Sequence, residues 1–117
     1  MLLQRLPKDG IPYWDFDAPD IPDALRDASA GAIMASAFID LARQTADSRL
    51  AKQCRQMAEK QLRTLASPEY LAPVGENCHF LLRHSVGSLP GNSEVDVPLT
   101  YADYYFLEAL LRWQGTL

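Results

Sequence analysis

The sequence predicts an all-α fold, and three stretches predict it. Ala28 to Ala42 is nearly all small or apolar. Leu50, Cys54, Met57, Ala58, Leu62 and Leu65 recur at helical spacing among charged residues. Thr100 to Gln114 carries aromatic and aliphatic residues at helical spacing until Gly115. Upstream helices then hold one organising stretch, His84 to Glu108, whose first part, His84 to Val97, is too rich in Gly, Pro and Ser to be a helix.

Taken in order, Met1 to Gly10 is short and ends in Asp9-Gly10, a turn signal. Ile11 to Pro22 reads IPYWDFDAPDIP. Its prolines each remove a donor and restrict the preceding residue, so a regular helix is forbidden. Tyr13, Trp14 and Phe16 sit among them, and three aromatics in an irregular segment predict a cover over a core or a pocket lining. The first long helix starts after Asp27, with Asp27 or Ser29 as its cap. Ile33, Ala37, Phe38 and Leu41 define its face, widened by Ala30 and Met34, so burial on more than one side is expected. Gly31 costs about 1 kcal/mol of helix propensity relative to Ala, which a close packing contact would offset.

The second helix spans Arg49 to Leu65. Lys52, Arg55, Gln56, Glu59, Lys60 and Arg63 fill its other face, the pattern of an outer helix with one side in water. One buried and one amphipathic helix joined by a few residues form an αα-hairpin. Ser67-Pro68 stops the second. Cys78 to Leu82 is a short apolar run, either strand-like or one helical turn. Val95 and Val97 alternate with Glu94 and Asp96, which predicts a short extended piece. Thr100 with Asp103 fits a capping box. The last helix sets Tyr104, Leu107 and Leu111 on one line and Tyr101, Tyr105 and Glu108 on another, with its tyrosines expected mostly in the core.

The bulk numbers exclude several classes. Fifteen acidic residues against eleven basic give a net charge of -4, which argues against nucleic acid and against an anionic membrane surface. No apolar run approaches the roughly 20 residues a bilayer span needs. The start, MLLQRLPKDG, lacks the apolar length of a signal peptide. Cys54 and Cys78 have no C-x-x-C or His-rich surroundings and read as reduced and structural, which points to a cytoplasmic, reducing setting.

Candidate chemistry is sparse. Asp15, Asp17, Asp20 and Asp23 do not match a calcium loop, because no central Gly and no closing Glu are present. Asp20 and Asp23 read as solvated; Asp15 and Asp17, beside aromatics, would need backbone donors or Arg26. Tyr13 and Trp14 could instead stack on sugar faces. Glu94 and Asp96 could span the roughly 5 to 9 Å between glycosidase carboxylates, though such pairs are common and anchoring the loop is the simpler role. His84-Ser85 lacks the G-x-S-x-G elbow of a nucleophilic serine. Ser85, Ser88, Asn92 and Ser93, on a Gly-containing loop, suit sugar hydroxyls or an anion better.

Four ordered blocks carry a family resemblance. They are Pro12 to Pro19, Arg26 to Ala30, His84 to Gly87, and Ser93 to Leu99 continuing through Tyr101 to Leu110. Together they span nearly the whole chain, and they resemble the C-terminal part of an unsaturated glucuronyl hydrolase of glycoside hydrolase family 88. The resemblance implies a partial (α/α)6 barrel, or six-hairpin toroid, comprising the last helices and the substrate-side loops over residues 1–117. It implies an enzyme that releases 4,5-unsaturated uronic acid from lyase-generated oligosaccharides of glycosaminoglycan or gellan type, by adding water to the vinyl ether. Aspartates act as acid and base in that family, and neither metal nor nucleotide is required. Those aspartates belong to parts of the barrel with no counterpart here, so no catalytic residue is assigned to this chain.

What carries over is substrate binding, to His84, Ser85 and Ser88 with Tyr13 and Trp14. Family members favouring sulfated fragments have a Ser-x-x-Ser-x-Lys pattern at this loop. Ser85 and Ser88 match it, but Pro90 stands at the lysine position, which weakens the expectation of sulfate binding. Three hypotheses follow: a barrel fragment inactive alone, a short active enzyme using Glu94 and Asp96, and a non-enzymatic helical sugar-binding or interaction module. A barrel fragment would leave apolar residues such as Ile33, Phe38 and Leu107 without partners. Each exposed side chain forfeits about 1.5 to 3 kcal/mol of a stability of about 5 to 15 kcal/mol. Self-association, or pairing with the missing barrel portion, is therefore expected.

Overall fold

The computed structural model describes residues 1–117. Four α-helices appear in the order α1 (Leu2–Arg5), α2 (Ala28–Gln44), α3 (Ser48–Leu65) and α4 (Thr100–Gln114), with a 3-10 turn at Asn77–His79. There is no sheet, only isolated antiparallel bridges in the connecting segments. Helix α2 packs against both α3 and α4, while α3 and α4 scarcely touch. The chain is thus an αα-hairpin with a third helix laid along the other flank of α2.

The start of α2 follows from Asp27, whose extended backbone lets its carboxylate accept the N–H of Ser29. Asp47 does the same for α3, accepting from Arg49 and Leu50. Ala28, Ala32, Ala35 and Ile39 recur at i, i+4, i+7 and i+11 and are fully buried. From α3, Cys54, Ala58, Leu62 and Leu65 meet the core, as its stripe predicts. Gln61 lies there too, fully buried, with its amide donating to the carbonyl of Gly10 at 2.9 Å. Together with Thr64 Oγ1 on the Asp9 carbonyl at 2.8 Å, this pins the N-terminal segment to α3. Gly10 has a left-handed φ of 85° and lies so close to Gln61 that a Cβ would come within 2.8 Å of its side chain.

Several expectations fail for definable reasons. Ile33, Ala37 and Leu41 do not face the core; Ile33 is 39% and Leu41 43% exposed. On α4 the buried positions are Ala102, Phe106 and Ala109. Tyr101, Tyr104, Leu107 and Leu111 point outward, so most of the tyrosines are not core. Gly31 does not admit another helix. It receives the Ile11–Pro12 segment, with Ile11 Cδ1 3.0 Å from where a Cβ would sit. The capping box at Thr100 does not form, because Thr100 is already helical and Leu99 occupies the cap without a side-chain bond. Asp103 instead accepts the N–H groups of Leu81 and Leu82 at 2.9 and 3.0 Å, which fixes the short apolar run against α4.

Glu94 and Asp96 carry left-handed φ values of 54° and 51°, which no regular strand contains. Arg26 turns to Asp9 at 2.8 Å, not to Asp15 or Asp17. Asp17 pairs with Arg5 at 2.5 Å, and Asp15 accepts the N–H of Asp17. Cys54 is buried, and burial pushes its thiol up. Cys78 is exposed and unpaired, which leaves it no core role.

Candidate functional site

Residues 84–97 fold back on themselves. Ser85 and Val97 exchange both backbone hydrogen bonds, as do Ser88 and Ser93 nearer the tip, and Gly87 N–H donates to the Glu94 carbonyl. Gly87 is required by proximity, since a Cβ there would lie 2.8 Å from the Glu94 Cβ. At the tip, Ser88 Oγ accepts the Gly91 N–H at 3.2 Å.

Asp27 anchors the base of this loop. Its backbone N–H donates to the Pro12 carbonyl at 2.9 Å. Its carboxylate caps α2, accepts the Ser29 hydroxyl at 2.6 Å and accepts the Val86 N–H at 3.2 Å. The Ala28 N–H adds a bond to the His84 carbonyl at 2.9 Å. Asp27 thereby ties together the aromatic segment, through its backbone, and the start of α2 and the loop, through its carboxylate.

The side chains above that anchor form a connected series. Arg26 lies over the Tyr13 ring, 4.3 Å from its centroid, and donates to Asp9 and to the Ile11 carbonyl. Burial opposes the charge on Arg26, but its bond to Asp9 and the charge of Asp9 outweigh that and raise its pKa further. Tyr70, 2% accessible, has its phenol pushed up to about 12, first by burial and then by the negative field of Asp9, with Arg26 opposing. His84 meets the Tyr70 ring edge-on at 5.7 Å, and its Nδ1 lies 2.8 Å from Asp96 Oδ1. Tyr101, beside Glu94 and Asp27, is raised by burial and by those charges.

Of the residues expected to bind substrate, His84 and Tyr13 belong to this series and are half-buried, and Ser88 is exposed at the tip of the loop. Trp14 is half-buried, and its backbone N–H donates to Leu25, but no hydrogen bond or ring contact joins its indole to the loop. Ser85 is fully buried, and its hydroxyl has no partner. Tyr70 and Asp96 complete the series without having been assigned to it from sequence. Tyr70 follows a Ser-Pro stop and reads as loop, and its proximity to His84 is set only by the fold. Open clefts lie elsewhere. One is bordered by Leu3, Leu50 and Met57, another by Ile33, Leu41 and Tyr105. Both are gaps beside apolar helix faces. No group of three or more His, Cys, Asp or Glu side chains is placed to hold a metal ion, and no helix is long and apolar enough to cross a membrane.

No protein-family model matches the chain. Known proteins do. The unsaturated glucuronyl hydrolase of Formosa agariphila is 48% identical over 114 residues, which are 97% of this chain and 28% of that protein. The chain is a homologue of part of the unsaturated glucuronyl hydrolases. A crystal structure of an unsaturated glucuronyl hydrolase specific for heparin superposes with a TM-score of 0.90 at 51% identity, over 95% of this chain and 29% of that one. A variant unsaturated glucuronyl hydrolase from Streptococcus agalactiae, solved with dGlcA-GalNAc6S, superposes with a TM-score of 0.82 at 31% identity over 95% of this chain and 29% of that one. The chain therefore spans a little under a third of the unsaturated glucuronyl hydrolases it matches, and its helices take the arrangement of part of their (α/α)6 barrel.

Proposed function

We propose that the chain is the C-terminal portion of an unsaturated glucuronyl hydrolase barrel, supplying its last helices and a loop that borders the bound saccharide, and that it is inactive alone. The complete enzyme would release 4,5-unsaturated uronic acid from lyase-generated oligosaccharides by hydration of the vinyl ether, in a reducing, cytoplasmic setting. The observation that carries this reading is the proportion of the match. Nearly all of this chain aligns with 28% of its relative, while α2 and α4 keep apolar faces that nothing in the chain covers. Those faces would receive the remaining helices of the barrel.

Three of the aspartates of this chain are held by basic side chains, which fits a binding role. Asp17 is held by Arg5, Asp9 by Arg26 and Asp96 by His84. The test is turnover of an unsaturated glucuronyl disaccharide, followed by loss of the double-bond absorbance. The chain alone is expected to give none, and activity is expected when it is combined with the complementary portion of a relative. Turnover by the chain alone, abolished by Asp96→Asn, would overturn the proposal. A second reading, a non-enzymatic sugar-binding module, draws on the sixteen-residue core that the chain buries by itself. Saturable binding by the chain, lost in Trp14→Ala, with no activity in any combination, would favour it.

A further inference from the structure

Asp96 and His84 face each other across the base of the loop, and both hold left-handed backbone angles, φ 51° and 65°. Non-glycine residues seldom adopt this region without a constraint. The constraint on His84 is visible on three sides. Its carbonyl accepts from Ala28, its ring abuts Tyr70, and its Nδ1 lies 2.8 Å from Asp96 Oδ1. An ionised carboxylate only accepts hydrogen bonds. The Nδ1 atom must therefore carry the proton of that contact, and in the neutral ring Nε2 is then a bare acceptor. Nε2 has no protein partner and is not among the buried unpartnered polar atoms, and His84 is partly exposed, so Nε2 opens to solvent.

We propose that Asp96 is a positioning residue: it fixes His84 in the Nδ1–H tautomer so that Nε2 accepts a hydrogen bond from a hydroxyl of the bound saccharide. This rests on the saccharide-binding reading above. It assigns to Asp96 a role distinct from acid or base catalysis, because its carboxylate acts through the imidazole ring. The same logic orients metal-ligating and catalytic histidines, where the bond made by one ring nitrogen sets the state of the other.

The experiment is a long-range proton–nitrogen NMR correlation of the imidazole nitrogens of the 117-residue chain, under conditions where the ring is neutral. The chain has two histidines, so His79→Gln assigns the spectrum. The wild type is expected to show protonated Nδ1 and bare Nε2 at His84. Asp96→Ala is expected to mix the tautomers and, in the chain combined with the complementary portion of a relative, to weaken binding of dGlcA-GalNAc6S about tenfold, the scale of one lost hydrogen bond. Asp96→Asn, whose amide can also turn to donate from Nδ2 to a bare Nδ1, is expected to keep the ring in place but lose the tautomer preference. A wild-type Nε2–H tautomer, or an Asp96→Ala variant with unchanged tautomer and affinity, overturns the proposal. Disaccharide-induced shifts in the loop amides without a shift at Nε2 overturn the acceptor role alone. In the chain combined with the complementary portion of a relative, the expected tautomer with no disaccharide-induced shift at any residue overturns the saccharide reading, and the acceptor role falls with it.

Discussion

Helix α2 has two apolar faces, and only one is covered. Ala28, Ala32, Ala35 and Ile39 are entirely inaccessible, while Ile33, Ala37 and Leu41 lie on the opposite side of the same helix in contact with solvent. Helix α4 repeats the contrast, with Ala102, Phe106 and Ala109 buried and Tyr104, Leu107 and Leu111 exposed. The covered faces alternate alanines, which let backbones approach, with large residues such as Ile39 and Phe106. The open faces also carry large side chains, Ile33, Leu41, Tyr104, Leu107 and Leu111. Hydrophobicity thus marks where a helix is suited to burial, but not whether the covering partner belongs to the same chain.

The contrast is sharpest in stability. Ile39→Ala removes buried methylenes from a fully enclosed site and is expected to cost about 2 to 5 kcal/mol. Leu41→Ala, two residues on but on the open face, is expected to stay within about 1 kcal/mol. Paired urea melts followed by circular dichroism measure both, and equal costs would mean that the open face is covered in solution.

A second test probes the covered side below the loop. Tyr70 is neutral and enclosed, and its folded pKa of about 12 lies above the ordinary value of 10. An acid whose pKa is raised by folding contributes stability that is complete below its unfolded pKa. That contribution is lost as pH rises through the folded value, so the loss falls between about pH 10 and 12. Its size is of order 2 kcal/mol. Stability melts across that range should show the fall in the wild type and a smaller one in Tyr70→Phe.

The smallest effect separates two accounts of where α4 begins. Asp103→Ala leaves the Leu81 and Leu82 N–H groups without their acceptor and should cost about 1 to 3 kcal/mol. Thr100→Ala removes no bond and should change stability by no more than about 0.5 kcal/mol. A true capping box would make the two losses comparable, at about 1 kcal/mol each.

These contrasts show what was legible. The stops at Ser67-Pro68 and Gly115, the Asp27 cap and the α3 stripe all appear where the residues indicate, because each depends on neighbours within one or two turns. The candidate surface was legible only in part. His84 and Tyr13 stand on it, but Ser88 is at the loop tip, Ser85 faces inward and Trp14 joins no member of the series. Tyr70 carried no local signal, and Asp96 was legible only as half of a carboxylate pair with Glu94 or as a loop anchor; its meeting with His84 depends on what the fold sets beside it.

By itself the sequence determined three long helices, their approximate ends, the irregular aromatic segment and a polar, non-helical loop before the last helix. It also carried the ordered blocks that relate the chain to part of the unsaturated glucuronyl hydrolases. Tertiary structure alone decided which apolar face of α2 is covered, that Asp103 binds the 81–82 backbone rather than its own helix, and that Asp96 meets His84. The physical reason is range. Caps and stripes are settled by contacts a few residues apart, whereas a buried face or a paired carboxylate depends on which distant segment the fold brings within hydrogen-bonding or van der Waals reach.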